Sequence, residues 1–218
     1  QDILFSTCQT TASSGNNGGA IAIASGASTT IDRCTFTGCA TLYASSGSYG
    51  AAIYSAGTAT IQNCLLYGNT MSYNSNVSGG SGYITNNAGA MTIYSTTITN
   101  NISSTGGGVV NFLAGGSGTS MTIKNCIIYG NTNATYPVYN NSSGTSVTLQ
   151  YSLYDGSAYS AGGGYAVGTG NINNTDVDPV FMNTATNDYR ISAISPARES
   201  GTAIGPTVDM NQVSRATA

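Results

Sequence analysis

Two stretches of this sequence repeat each other almost letter for letter: TIQNCLLYGN at residues 60–69 and TIKNCIIYGN at residues 122–131. Looser copies read TIDRCTFTGC from Thr30, TIYSTTITNN from Thr92 and TLQYSLYDGS from Thr148. Repeats of about 30 residues indicate a solenoid or array. The spacing between copies is unequal, which predicts that one part of each repeat is held in register while another part varies in length.

Within each copy, apolar and polar residues alternate as they do in β-strands. The alternation changes phase at Asn63 and Asn125, which predicts a bend between two short strands. A further short strand is predicted before each copy, as in GGAIAI at 18–23 and GAAIY at 50–54. Three short strands cannot bury a face alone, whereas stacked copies can, with each strand parallel to its equivalent about 4.8 Å away.

The predicted fold is therefore an all-β, right-handed parallel β-helix of about six to seven three-sided rungs. Right-handed winding is the rule for parallel crossovers. We expect the repeats to occupy residues 1–175 and an irregular C-terminal tail, residues 176–218, to pack on the solenoid or extend it. A propeller fits less well, because its blades need about 40–45 residues.

Positions that the copies share predict the core. The expected stacks are Ile31, Ile61, Ile93 and Ile123, and, beside them, Cys34, Cys64 and Cys126. A partial copy is expected to open the chain, with Phe5 and Cys8 in the places of Ile31 and Cys34. The cysteines are interpreted mainly as buried small residues, with a Cys8–Cys34 disulfide as the alternative. Cys39 aligns with Asn69 and Asn131 and is predicted to be a stacked polar residue rather than a metal ligand.

Charge is scarce: 5 basic and 8 acidic residues make up 6% of the chain, with a net charge of −3 and no histidine. The absence of a basic cluster argues against nucleic acid as a partner. No apolar run is long enough to span a bilayer. Without histidine, Ser-His-Asp and Cys-His catalysis are excluded, and no cofactor is expected.

Many sugar-cleaving enzymes use this fold, so a polysaccharide lyase or hydrolase is the enzymatic alternative. A hydrolase needs two facing carboxylic acids, yet residues 33–154 contain only Arg33 and Lys124 as charged groups, and Asp155 follows alone. Asp176 and Asp178 form a weak Ca²⁺ candidate. The competing interpretation is that Asp178 caps a turn, and no catalytic residue is predicted.

Alternation also predicts what faces outward. Leu65, Tyr67, Ile127, Tyr129 and Leu153 are candidates for an interaction surface, contacting either a loop or a neighbouring molecule. Ser/Thr-x-Thr positions repeat beside the isoleucine column, a pattern that ice-binding solenoids use. The plainer explanation is that threonine is a favoured exposed strand residue.

Two groups of motifs carry a family resemblance. GGAI at 18–21 followed by TIDRCTF at 30–36 resembles the repeats of polymorphic outer-membrane proteins. DPVFMN at 178–183, NDYRI at 187–191 and SPARESG at 195–201 are similar to the tail of choice-of-anchor-Q type β-helix proteins, although Glu199 stands where that family more often has Asp. The resemblance implies an exported bacterial protein, at the cell surface or extracellular.

The function expected from these observations is that of a non-catalytic, exported structural or adhesive solenoid, as a subunit or segment of a filament, stalk or surface layer. The alternative is a polysaccharide-binding or polysaccharide-cleaving protein, and an ice-binding solenoid is more remote. The expected partners are further copies of the chain, end to end or side by side, and a glycan or cell-surface ligand.

Overall fold

The computed structural model describes residues 2–11, 17–42, 49–71, 82–103, 108–112, 119–132, 134, 136–140, 146–156, 159–160, 165–173, 177–203 and 208–212. Within them, parallel strands from successive turns stack into four sheets, and a small antiparallel hairpin lies in the tail. We label these four sheets A, B, C and D. In chain order, one turn of the solenoid passes through sheet C, then D, then A and then B. The all-β parallel solenoid predicted from the repeats is confirmed.

Sheets C and D follow the long connections. Sheet C contains β3 (Ile21–Ile23), β7 (Ile53–Ser55), β11 (Ile84–Asn86), β15 (Gly108–Phe112), β18 (Tyr136–Asn140) and β21 (Tyr159–Ser160). Sheet D contains β4 (Ser28–Asp32), β8 (Thr58–Gln62), β12 (Ala90–Tyr94), β16 (Ser120–Lys124), β19 (Ser146–Gln150) and β22 (Tyr165–Val167).

Sheets A and B complete each turn. Sheet A contains β1 (Ile3–Ser6), β5 (Cys34–Thr37), β9 (Leu65–Tyr67), β13 (Thr97–Thr99), β17 (Ile127–Tyr129), β20 (Leu153–Tyr154) and β23 (Ile172–Asn173). Sheet B contains β2 (Gln9–Thr10), β6 (Ala40–Thr41), β10 (Thr70–Met71) and β14 (Ile102–Ser103). The expected three-sided rung is therefore wrong where sheet B is present, because these turns carry a fourth short strand.

One residue makes each corner between sheets D and A. It adopts a left-handed conformation at Arg33, Asn63, Ser95, Asn125 and Tyr151, with φ between 47° and 54°. Asparagine tolerates this region better than other residues with a Cβ, which accounts for its place in the two best-conserved copies of the repeat. The bend predicted at Asn63 and Asn125 is confirmed.

The isoleucine column is also confirmed. Ile31, Ile61, Ile93 and Ile123 are direct partners in sheet D, and Leu149 extends the column. Each of the four isoleucines is at most 4% exposed. Burial of one such side chain stabilises the fold by about 1.5–3 kcal/mol, so the repeated column is a main source of stability.

The assignment of Phe5 and Cys8 was wrong. Phe5 pairs with Phe36 in sheet A, and Gln9 pairs with Ala40 in sheet B, which sets Cys8 beside Cys39. The first described strand thus belongs to sheet A, whereas the alignment with Ile31 had assigned it to sheet D. Phe5 and Phe36 stack with ring centroids 4.7 Å apart.

The tail is less irregular than predicted. β24 (Phe181–Asn183) and β25 (Asp188–Ile191) form an antiparallel hairpin around a 3₁₀ turn at Thr184–Thr186. Asn183 caps this turn by accepting a hydrogen bond from Ala185 N–H, and Asn187 ends it in the left-handed region at φ 59°. None of the described segments forms a helix of the length and hydrophobicity that a bilayer crossing requires.

Candidate functional site

A ladder of buried asparagines lines the corner between sheets A and B. Asn69 Nδ2 donates to Asn101 Oδ1 at 2.8 Å, and Asn101 Nδ2 donates to Asn131 Oδ1 at 2.8 Å. The same oxygens accept backbone N–H groups, and each Nδ2 also reaches a carbonyl of the preceding turn. Because buried amides must be paired, these bonds lock consecutive turns in register.

Cys39 occupies the first step of this asparagine ladder, as its alignment predicted. Its N–H donates to Asn69 Oδ1 at 3.0 Å, and its Sγ donates to Phe5 O at 3.6 Å. The thiol therefore takes the position in which Asn69 Nδ2 bonds to Phe36 O one turn later. Cys39 is fully buried and serves a structural purpose at this corner.

A second ladder lies just inside the corner between sheets D and A, and it is made of thiols and hydroxyls. Cys64 N–H donates to Thr96 Oγ1 at 3.3 Å, and Cys126 N–H donates to Ser152 Oγ at 3.1 Å. The side chains of Cys64 and Cys126 donate back to carbonyls of their own and the preceding turn. The predicted stack of cysteines is thus present, interrupted by Thr96.

Contact between neighbouring thiols changes their acidity. The neighbouring Cys64 thiol lowers the pKa of Cys34 to about 6, whereas the Cys34 thiol and burial raise the pKa of Cys64. Burial raises the pKa of Cys39 to about 11 and that of Cys126 to about 12. None of the five cysteines, all of which lie in the described ranges, is in a disulfide.

The predicted interaction surface on sheet A faces the protein's own tail at Tyr67. The ring of Tyr67 lies 5.1 Å from that of Tyr189, which in turn makes an edge contact with Phe181 at 5.4 Å. Asn100 Nδ2 donates to Tyr189 OH at 3.1 Å. Tyr189 is only 6% exposed, so Tyr67, which was expected to contact either a loop or a neighbouring molecule, is partly covered by the tail of the same chain.

Other tail residues contact the same side of the solenoid. Asn125 Nδ2 donates to Thr202 O and Thr202 N–H donates to Asn125 Oδ1, both at 2.9 Å. Nearer the first turn, Met210–Gln212 line a cleft together with Leu4, Arg33 and Thr35. Since Leu4 and Thr35 are partners in sheet A, tail residues lie beside this face near its β1 edge as well as at Asn125.

The other residues of the predicted interaction surface differ in how deeply they are buried. Leu65, Ile127 and Tyr129 are half-buried, whereas Leu153 is only 2% exposed. Register places Leu65, Thr97, Ile127 and Leu153 in one column of sheet A. The structure therefore brings the candidates together on one sheet but leaves Leu153 inaccessible to a partner.

The ionisable side chains of the first turns bond to one another. Arg33 Nη1 pairs with Asp32 Oδ2 at 2.5 Å, and Arg33 Nε lies 3.5 Å from Asp2 Oδ1. Asn63 Nδ2 donates to the other oxygen of Asp32 at 3.1 Å. These bonds join two corner residues of adjacent turns, Arg33 and Asn63, through a shared carboxylate.

Acids of the last turn and the tail accept hydrogen bonds from nearby backbone. Asp155 Oδ2 accepts Gly130 N–H at 2.8 Å, and burial raises the pKa of this carboxyl. Asp178 Oδ1 accepts Val180 N–H at 2.6 Å, as the predicted turn cap requires. Asp188 binds Arg190 through both oxygens, and the hydrogen bonds from the guanidinium lower the pKa of Asp188.

Asp176, the other half of the Ca²⁺ candidate, lies outside the described residues, so a site shared with Asp178 stays a prediction. Among the described residues, no three Cys, Asp or Glu side chains gather in a way that could hold a metal ion. The structure thus brings the described acids to turns and corners, where they satisfy N–H groups.

The threonine array on sheet D is in register. Thr30, Thr60, Thr92, Thr122 and Thr148 follow one another as direct partners. The neighbouring outward column is less regular, because Ala90 pairs with Ser120 there. Among the described strands of sheet D, one unbroken threonine column is therefore present.

Sequence reasoning missed two features: the anchoring of the tail by Tyr189 and the position of Cys8 beside Cys39. A sequence signal for the position of Cys8 beside Cys39 was available, since these two cysteines have nearly the same spacing as Cys34 and Cys64. The sequence gives no signal for the anchoring by Tyr189, because the tail does not repeat and its position on the solenoid therefore cannot be inferred from a period.

Comparison with known proteins agrees with the fold. A family model described as "Right handed beta helix region" matches residues 2–178. A search of curated proteins returned no match, and neither did a search of solved structures. Since the match covers most of the chain and the strands stack in parallel turns, the chain belongs to the right-handed β-helix family.

Proposed function

We propose that this chain is a non-catalytic structural or adhesive β-solenoid that is exported and acts as a segment or subunit of an extracellular filament, stalk or surface layer. The observation that carries the proposal is the use of its acids. Asp32, Asp155 and Asp178 each accept hydrogen bonds that hold a corner or turn in place. Acids in such positions stabilise the rod rather than face a substrate.

The two internal ladders support the same proposal. Amide, thiol and hydroxyl side chains bond from turn to turn along the corners between sheets A and B and between sheets D and A. Buried polar networks of this kind rigidify a fold when every member is paired. A rigid rod with few charges suits a load-bearing or spacing element.

Assembly is proposed to occur end to end with a second copy. β1 pairs with β5, and among the described residues no other strand meets its opposite edge. Beside that edge, Ile3 is 47% exposed and Leu4 is 64% exposed. Edge strands with exposed apolar residues pair readily with another chain, so we place the contact at this edge.

A glycan panel tests the activity class. Purified protein is incubated with acidic and neutral polysaccharides, and both retention and release of reducing or unsaturated ends are measured. We expect no turnover; retention without turnover supports the adhesive form of the proposal. Turnover overturns the proposal in favour of an enzyme if Asp155→Asn abolishes it. The control is Asp188→Asn, which removes an ion pair of the tail and should leave such turnover intact. Slowed ice growth that Thr92→Tyr abolishes favours the ice-binding alternative.

A further inference from the structure

We propose that two pairs of cysteines, Cys34 with Cys64 and Cys8 with Cys39, are oxidative modification sites that close into disulfides between neighbouring turns, whereas Cys126 stays a thiol. The oxidant is a small-molecule disulfide of the glutathione class. This inference concerns the chemistry of the core and holds whatever the function of the solenoid.

The register of sheet A brings the first pair together. Thr35 pairs with Leu65, so the residues that precede them, Cys34 and Cys64, are neighbours across the same ladder. Adjacent strands lie about 4.8 Å apart, within the Cα separation of about 4.4–6.8 Å that a disulfide spans. The two thiols are close enough for each to shift the pKa of the other, and both residues are at most 5% exposed.

The register of sheet B does the same for the second pair. Gln9 pairs with Ala40, and Ala40 N–H donates to Cys8 O at 2.8 Å, which places Cys8 and Cys39 side by side. Burial, with a contribution from the neighbouring Cys8 thiol, raises the pKa of Cys39. Cys8 is half-buried and Cys39 is fully buried, so reagent reaches this pair through Cys8.

Cys126 lies in the same column as Cys34 and Cys64 but has no thiol beside it. Ile127 pairs with Thr97 and with Leu153, which sets Thr96 and Ser152 on its two sides. Cys126 N–H donates to Ser152 Oγ at 3.1 Å. It is as buried as Cys64 and is therefore an internal control for the effect of burial alone.

The exchange is balanced in atoms and electrons. The thiolate of Cys34 attacks one sulfur of the reagent disulfide; the S–S bond of the reagent breaks and one small thiolate leaves. Cys64 then loses its proton and attacks Cys34 Sγ, and the second small thiol leaves. Two protein thiols are oxidised and one reagent disulfide is reduced. Because its neighbour favours ionisation, Cys34 has a pKa suited to the attacking role.

Closing the first pair leaves the surrounding hydrogen bonds largely intact. Cys64 Sγ gives up its bond to Gln62 O at 3.1 Å, but Gln62 O also accepts Arg33 N–H at 3.2 Å. The corner therefore accommodates the bond without a change of register.

The experiment maps the bonds. Folded, reduced protein is incubated with oxidised glutathione, remaining thiols are alkylated after denaturation, and peptides from a combined tryptic and chymotryptic digest are identified by mass. Cleavage after Arg33 separates Cys8 from Cys34, and cleavage after Phe36 separates Cys34 from Cys39. We expect two linked peptide pairs, Cys8–Cys39 and Cys34–Cys64, with alkylated Cys126. Cys34→Ser is expected to leave Cys64 alkylated and the other pair linked, and Cys126→Ser to change neither link.

Several outcomes overturn the proposal. A Cys8–Cys34 link, a link to Cys126, or alkylation of all five cysteines contradicts it entirely. If only one of the two disulfides forms, the proposal is refuted for the other pair of cysteines. Stable glutathione adducts at Cys8 or Cys34 show that the neighbouring thiol does not complete the exchange, and this also contradicts it.

Discussion

The side-chain amide of Asn69 donates to the side-chain oxygen of Asn101 at 2.8 Å, one full turn along the solenoid, and neither residue is exposed. Asn101 repeats the bond to Asn131. The same oxygen of Asn101 also accepts the backbone N–H of Asn69. The three turns that carry Asn69, Asn101 and Asn131 are thus joined to one another by side-chain carboxamides.

Removal of one step should weaken the whole asparagine ladder. Asn101→Ala leaves the buried amide of Asn69 and the carbonyl of Leu66 without that partner, and each unpaired buried group costs about 1–3 kcal/mol. We expect a loss of about 3–5 kcal/mol in the free energy of unfolding, measured by urea titration. The exposed Asn211→Ala is the control and should cost less than about 0.5 kcal/mol. Equal losses in the two variants would contradict this account of the asparagine ladder.

The isoleucine column should be intolerant of charge and mildly sensitive to size. Ile61 is fully buried between Ile31 and Ile93, so Ile61→Asp should prevent folding because an unpaired buried charge is too costly. Ile61→Val should fold and lose about 1 kcal/mol. Far-UV circular dichroism and urea titration measure the two effects, and a folded Ile61→Asp protein would contradict the column.

The tail should detach when its aromatic anchor is removed. Tyr189→Ala removes the ring that contacts Tyr67 and Phe181, at a cost of roughly 2 kcal/mol in tail docking. Cleavage by trypsin at Arg190 and Arg198 should then accelerate by roughly 30-fold, while the solenoid stays protected. Tyr94→Ala, on sheet D, is the matched control. Unchanged cleavage in Tyr189→Ala would show that the ring does not hold the tail.

Alkaline pH should destabilise the protein through Cys126. Burial raises its pKa to about 12 from the ordinary value of 9.0, so the thiol favours the folded state when neutral and that contribution is intact below pH 9. Above pH 9 the unfolded chain ionises first, and the free energy of unfolding should fall by about 1 kcal/mol per pH unit. Reduced Cys126→Ser protein should lose less stability between pH 9 and 11. Parallel curves for the two proteins would disprove a raised pKa.

The solenoid core could be predicted because equivalent core residues recur in successive copies of the repeat. Ile31, Ile61, Ile93 and Ile123 recur with the same neighbours, and alternation within each strand reports directly which side is buried. The corners at Asn63 and Asn125 were predicted for the same reason, since a change of phase marks a bend. The family match over residues 2–178 agrees with this interpretation.

Features that occur once were harder to predict. Phe5 was aligned with Ile31 because the first copy is partial and offers two registers; the ring stack with Phe36 decides between them. Sheet B was missed because strands such as β6 and β10 have only two residues, too few to show alternation. Tyr67 was correctly expected to face outward, but the residue that covers it lies in a tail without a repeat.

The state of assembly of the purified protein tests the central claim most directly, that this solenoid is a structural element built to continue into another. Sedimentation equilibrium and electron microscopy of reduced protein at physiological salt should show rods and masses above 22.0 kDa that grow with concentration. Ile3→Lys, at the exposed end of the core, should abolish this growth, whereas Ile194→Lys, in the tail and 81% exposed, should not. A monodisperse 22.0 kDa monomer at every concentration, unchanged by Ile3→Lys, would contradict the claim.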